Sequence, residues 1–500
     1  MLASIPSATL YGIEAIGITV EVDSQPGLPT EIIVGLPDTV IRESRNRIRS
    51  ALKNAGFKFP QKVFTINLAP AELRKEGASL DLPIATGILV NTQQLPPFEK
   101  TLFIGELSLN GDVQGVRGIL SICHYARSQG YTRIIFPHAN LPEAQLIGGI
   151  DLIPIQNIRE LHALPAPISA QDPQHQETSL PPRICLSDVK GQTVAKRALT
   201  IAAAGAHNIL FVGPPGSGKS LLMGCLPDIL PPLTPDEALE SHKIHGLGQV
   251  PGQSHHFSRT RPFRAPHHTI SYAGMVGGGS TPQPGEISLA HQGVLFLDEL
   301  PEFPRQILEL LRQPLEEQKI TISRAYGSIT YPSNFILATA MNPCPCGYLG
   351  DGPGRCHCPD TMVQKYLKRI SGPLLDRIDI VLEVPRLRGI DMTTAVPLHK
   401  KSPTSNVIRQ SVIACRDRQL ARQHNRPNAR LTPLEVTTHC TPDPKLLGPL
   451  RPLLDNGHLS GRGYTKLLKV ARTIADLEAS ELILEQHLQE ALHYRGRLQK

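Results

Sequence analysis

Short apolar runs separated by polar breaks dominate the first third of this chain. Ile16–Val22, Glu31–Val34 and Val63–Asn67 read as strands, and Thr39–Asn54 reads as a helix. The pattern is mixed α/β and defines a first unit over residues 1–165. Residues 166–183 lack periodicity and are rich in Pro, Gln and Ser, so they read as a linker. Apolar runs return at Asn208–Val212, Gly293–Leu297 and Phe335–Met341, in a second unit over 184–390. A third unit, 391–500, is rich in helix formers over Ser405–Gln423 and Tyr464–Gln499.

Composition narrows the class. At about 150 residues per domain, 500 residues suit three domains. With 40% hydrophobic and 19% charged residues, the chain reads as globular. No apolar run reaches the length of a membrane span, so no membrane association is expected. The opening MLASIPSATLYGIEAIGITVEV lacks a basic start followed by a long apolar run, so the expected location is cytoplasmic. A net charge of +7 is compatible with nucleic acid without specifying it. Four of the nine cysteines fall between Cys344 and Cys358, which argues for one local metal site over a disulfide framework.

The most informative segment is Gly213-Pro214-Pro215-Gly216-Ser217-Gly218-Lys219-Ser220, between an apolar strand and a helix. This is a phosphate-binding loop in its required context. Glycines let backbone N–H groups converge on phosphate oxygens, Lys219 reaches the β- and γ-phosphates, and Ser220 ligates Mg²⁺. ATP and Mg²⁺ are therefore the expected ligands. The run Gly293–Leu297 ends in Asp298 and Glu299, suited to supporting Mg²⁺ and to polarising the attacking water; an ordinary core strand with a solvated acidic end is the alternative. The run ending at Met341 presents Asn342, whose amide suits orienting that water; a capping asparagine is the alternative.

DVKGQ (Asp188–Gln192), GPPGSGKS, VLFLDEL, ATAMNPCPCG and SGPLLDRID together resemble the magnesium-chelatase-related AAA+ ATPases, nearest the YifB/ComM family, over nearly the whole chain. The resemblance implies an AAA+ P-loop core with a parallel sheet, preceded by a Lon-protease-like α/β domain and followed by a helical domain. It further implies a homo-oligomeric, hexameric ring with ATP at subunit interfaces. Arg377 then corresponds to the arginine finger and Arg462 to the sensor 2 arginine; a surface salt bridge is the other reading of each. A permanently charged, planar guanidinium suits both roles.

Between the phosphate loop and Asp298, Ser258–Thr269 carries Arg259, Arg261, Arg264, His267 and His268, followed by the glycine-rich Gly274–Gly279. Insertions there line the central pore in this clade, so these side chains are candidates for sequence-blind phosphate contacts, with support of the nucleotide site as the other reading of His267 and His268, and with Lys319 and Arg324 of a hairpin-like segment as a second set. A metal at the His pair is disfavoured because no nearby carboxylate completes it. Arg409, Arg416, Arg418, Arg422, Arg426 and Arg430 form either another phosphate-facing surface or a solvated helix face. With no Trp and 4% aromatics, base stacking is not expected to dominate DNA contact. Cys344, Cys346, Cys356 and Cys358 can form a closed structural Zn²⁺ site, with reduced, metal-free thiols as the alternative.

Glu76–Ser79 and Gly105–Gly111 match Lon-type stretches, but Leu120 stands where the protease lysine belongs. A serine without its base is a weak nucleophile, so the first domain is expected to be non-proteolytic. The leading expectation is an ATP-driven DNA motor with helicase or branch-migration activity in recombination or natural transformation. The rivals are a magnesium-chelatase subunit, an ATP-driven protein remodeller and a Lon-type protease.

Overall fold

The computed structural model describes residues 2–28, 30–36, 38–72, 75, 77–169, 185–248, 258–279, 283–324, 327–387, 403–423, 425–456 and 459–495. Most of the expected linker (170–183), the boundary at 390/391 and Glu76 lie outside them. The chain separates into two compact units: Met1–Thr178 with Pro235–Ser258 and Ser323–Tyr331, and Ser179–Thr234 with Arg259–Ile322 and Pro332–Lys500.

In the first unit, β1 (Ala3–Tyr11) and β2 (Glu14–Pro26) form an antiparallel hairpin. β2 pairs antiparallel with β4 (Lys62–Ala69), and β3 (Thr30–Val34) lies parallel to β4 at the sheet edge. Alternating burial along these strands puts Val20, Val22, Phe64, Ile66 and Leu68 into the core. α1 (Thr39–Asn54) starts where the Asp38 carboxylate accepts from the Ile41 N–H at 2.8 Å, and it buries Ile41, Ile48 and Leu52. α2 (Asp81–Asn91) is buried on every side. A parallel three-stranded sheet of β5 (Thr101–Phe103), β6 (Arg133–Pro137) and β7 (Asp151–Ile155) completes the unit with α3 (Ile119–Ser128). Leu120 is 2% exposed, within an apolar cluster that includes Ile119 and Cys123.

The second unit holds a five-stranded sheet. α4 (Thr193–Gly205) precedes β8 (Ile209–Val212), and α5 (Lys219–Gly224) follows the phosphate loop. β9 (Phe263–Arg264), β10 (Val294–Leu297), β11 (Ile336–Met341) and β12 (Ile380–Glu383) complete the set, in the order β9-β10-β11-β8-β12. Every pairing is parallel. β8, β10 and β11 are buried along their whole length, as a sheet covered on both faces requires. The sheet thus gathers the C-terminal ends of β8, β10 and β11, where ligands of α/β folds bind.

The C-terminal helices are α6 (Ser405–Arg422), α7 (Gly461–Leu477) and α8 (Glu485–His493). Of the helix-rich stretch expected over Tyr464–Gln499, the residues described as far as Arg495 hold two helices, interrupted near Ala479, which adopts φ +56°. Leu467, Leu468, Val470 and Ile474 of α7 are buried in the same core as α4 and the sheet, each aliphatic side chain contributing about 1.5–3 kcal/mol. The six arginines between 409 and 430 resolve into structural roles. Arg409 donates to the Asp228 carbonyl, Arg416 to Ala203 and Ala204, Arg418 to Asp476 and Arg430 to Phe335. Arg422 forks onto the Asp476 carboxylate at 2.6 and 2.9 Å, and Arg426 pairs with Glu435 at 3.4 Å. These contacts are helix-tying ion pairs and carbonyl contacts, with the Arg426 side chain still half exposed.

Candidate nucleotide site

The phosphate loop leaves β8 and turns sharply, with Gly218 at φ +89°, a conformation that favours glycine. Lys219 is buried at the start of α5. Its ammonium donates to the carbonyls of Gly213 at 2.7 Å and Pro214 at 2.8 Å, and to Asn342 Oδ1 at 3.3 Å. Burial pushes the Lys219 ammonium below its ordinary pKa, with Asp298 and Glu299 opposing that shift. The Ser220 hydroxyl donates to Asp298 Oδ2 at 2.5 Å, and the Glu299 N–H donates to Asp298 Oδ1 at 2.9 Å. Glu299 sits at φ +52°, a left-handed conformation costly for a side chain larger than glycine, at the turn that ends β10. Two hydrogen-bonded pairs, Lys219 with Asn342 and Ser220 with Asp298, connected through the adjacent Lys219 and Ser220, thus bring three distant parts of the chain into one hydrogen-bonded set. Their donors suit a polyphosphate with a hard divalent cation: Lys219 offers ammonium protons, while Ser220 and Asp298 present two oxygens side by side.

A cleft of about 330 Å³ adjoins this set, lined by Ala265, Pro266, His267, His268, Phe296, Asp298 and Glu299. The absence of a carboxylate near the His pair does not hold in three dimensions: Glu299 Oε2 lies 3.5 Å from His268 Nδ1. The His267 and His268 rings pack together at a 34° tilt with centroids 4.1 Å apart.

The other candidates lie outside the hydrogen-bonded set. Arg259 donates to the Leu233 carbonyl and Arg261 to those of Pro231 and Gln292. Arg264 forks onto Glu286 with both contacts at 2.6 Å. These three arginines fix the segment leading into β9. Lys319 is exposed at the start of the strand Lys319–Arg324; the Arg324 side chain is outside the described residues. Arg377 pairs with Glu316 and also donates to the Pro373 carbonyl. Arg462 is exposed in the first turn of α7, where the helix dipole disfavours a cation, so helix stability does not account for it.

Two supporting residues were not legible as such. Gln192 donates its amide to the Ser217 carbonyl at 3.1 Å and the Pro385 carbonyl at 2.7 Å, tying the phosphate loop to the segment after β12. The only signal was its place in DVKGQ. Asp379, at the start of β12, accepts from the Asn208 N–H at 3.1 Å and pairs with Lys466 of α7 at 3.0 Å. Burial alone raises its pKa, but the Lys466 ammonium and His207 hold it well below the ordinary carboxylate range.

Beyond Asn342, the sulfurs of Cys344, Cys346, Cys356 and Cys358 all lie within 4.8 Å of one another. Three separations are 3.3, 3.7 and 3.6 Å. A tetrahedron with Zn–S bonds of about 2.3 Å has edges of about 3.8 Å, so the thiols are spaced for four-coordinate zinc, and all four are free of disulfides. The turn from Cys344 to Gly347 leans on the phosphate loop: a Cβ at Gly347 would meet the Pro215 ring at 2.7 Å. No described helix is long and apolar enough to cross a membrane.

Comparison with known proteins agrees with this architecture. Residues 185–392 match the family described as magnesium chelatase, subunit ChlI; residues 20–140 match subunit ChlI of Mg-chelatase; and residues 402–495 match the ChlI C-terminal family. The chain is 43% identical over 507 residues to the uncharacterized protein YifB of Escherichia coli, covering 99% of this chain and 97% of that protein. It is 42% identical over 510 residues to the competence protein ComM of Haemophilus influenzae, with the same coverages. A shorter match, 26% over 160 residues, links 30% of the chain to Lon protease 2 of Bacillus subtilis.

Proposed function

The chain belongs to the YifB/ComM family of magnesium-chelatase-like AAA+ proteins, and from that premise we propose that it is an ATP-hydrolysing, ring-forming motor acting on DNA. The observation that carries this reading is the convergence of Lys219, Ser220, Asp298 and Asn342 at the ends of three parallel strands.

The residues divide the work as follows. Backbone N–H groups of Gly213–Ser220 receive the phosphates, and Lys219 exchanges its carbonyl contacts for β- and γ-phosphate oxygens. Ser220 and Asp298 would hold Mg²⁺, which when bound would supply neutralisation of charge developing on the phosphates. Glu299 accepts a proton from water as the water oxygen bonds to the γ-phosphorus and the bond to the bridging oxygen breaks, giving ADP and phosphate. Asn342 orients that water. Arg377 leaves Glu316 and reaches the γ-phosphate of a neighbouring subunit in a hexamer, and Arg462 acts as sensor 2. Zn²⁺ on the four thiolates supplies structural cross-linking of the loop beside Pro215. The first domain is a scaffold without protease activity, supported by the buried Leu120.

With Arg259, Arg261 and Arg264 engaged internally, DNA contact falls chiefly on the hairpin bearing Lys319 and Arg324 and on exposed His267. A relative named as a competence protein supports a role in handling incoming DNA, with helicase or branch-migration activity. The test is binding and unwinding of a forked duplex with ATP. Affinity that falls steeply with salt, together with strand displacement, is the expected result. No binding and no DNA-stimulated ATP turnover at low salt would overturn the DNA assignment.

A further inference from the structure

We propose that His268 is a positioning residue for Glu299, orienting the carboxylate cast above as the acceptor of the water proton; this rests on the ATPase reading. The strand register creates the relationship. β9 and β10 run parallel with Arg264 opposite Leu295. His268 and Glu299 each stand four positions beyond that pair, at the ligand-binding ends of adjacent strands. The outcome is the 3.5 Å approach of His268 Nδ1 to Glu299 Oε2.

The imidazole is held more firmly than the carboxylate it faces. Its ring packs against that of His267 at 4.1 Å between centroids, tilted by 34°, and Phe303 meets it edge-on at 6.4 Å. His267 is itself held by the Thr269 hydroxyl, 2.9 Å from its Nδ1. The Glu299 side chain is 55% exposed and has several rotatable bonds, so alone it samples orientations that do not face the cleft. At 3.5 Å the two atoms stand at the outer edge of hydrogen-bonding range, so a small rotation of Glu299 lets a proton on His268 Nδ1 donate to it and select the useful orientation before substrate arrives. Both residues line the 330 Å³ cleft beside Asp298, where the attacking water must be accommodated.

The experiment is a double-substitution cycle on the full chain. His268→Ala is expected to lower the kcat of ATP turnover about tenfold, the scale of losing one ordered side chain. KM for ATP and the affinity for a fluorescent ADP analogue should stay within about twofold of the wild type, since no phosphate contact is lost. His268→Asn, which keeps a donor near the Nδ1 position, should recover part of the loss and serves if the alanine variant folds poorly. In a Glu299→Gln background, removing the imidazole should cause no further loss in single-turnover rate, because the carboxylate it orients is gone. Multiplicative losses in that background, or a fall in nucleotide affinity matching the fall in rate, would overturn the assignment while leaving the ATPase reading intact. A wild-type control without turnover would overturn both.

Discussion

The Ser220 hydroxyl donates to the Asp298 carboxylate across 2.5 Å. Two oxygens, one in the first turn of α5 and one just past the end of β10, are therefore positioned together before any cation is bound. Replacing either should strip the site of its metal without dismantling the loop. Ser220→Ala and Asp298→Asn are expected to lower Mg²⁺-dependent ATP turnover by more than about a hundredfold, because a lost metal removes several kcal/mol of charge stabilisation. A Mg²⁺ titration of turnover checks this; unchanged half-saturation in both variants would contradict it.

Arg377 is held by Glu316 within its own subunit. If its working position is on a neighbour's nucleotide, Arg377→Ala rings should bind ATP normally and lose about 10³-fold or more in turnover. Mixing Arg377→Ala subunits with Lys219→Ala subunits should restore partial activity. In such rings an intact phosphate loop meets an intact arginine across the interface. No recovery in mixed rings of confirmed assembly would place the guanidinium's role within one chain.

The four-thiolate cluster should carry about one zinc per chain in protein purified without chelators, measured by elemental analysis. Cys346→Ser and Cys358→Ser should lower zinc content and the melting temperature together. Because Gly347 rests on Pro215, nucleotide affinity should weaken as well. Full nucleotide affinity in zinc-free protein would separate the cluster from the ATP site.

Asp379→Asn removes one partner of a buried ion pair and leaves Lys466 uncompensated, a loss of about 3–5 kcal/mol at neutral pH. The Asp379 pKa is lower in the folded chain than in the unfolded one. Its contribution is therefore fully present above the unfolded value of about 3.9 and is lost as pH falls toward the folded value. Melting temperatures of wild type and Asp379→Asn should differ most near neutrality and converge below about pH 4. A constant difference over that range would contradict the ionised pairing.

Features carried by contiguous residues were legible in the sequence. α1 spans Thr39–Asn54 as its pattern suggests, and the phosphate loop lies between β8 and α5 as its motif requires. Pairings across long sequence separations were not. A count of arginines gives no indication that Arg264 meets Glu286, Arg422 meets Asp476 or Arg377 meets Glu316. Those contacts depend on how distant elements pack, so segments that read as exposed basic surface became internal struts. A supporting place for His268 at the nucleotide site was open from the sequence, but its approach to Glu299 was not legible, because the register that aligns them exists only once β9 and β10 pair.

The central claim is that a triphosphate is bound and hydrolysed at Gly213–Ser220. Its most direct test is steady-state phosphate release by the purified full chain with ATP and Mg²⁺, with and without forked DNA, beside Lys219→Ala. The account expects turnover in the wild type and a near-complete loss in the variant, with its fold retained by circular dichroism. Equal phosphate release from both proteins, or none from the wild type in any assembly state, would contradict it.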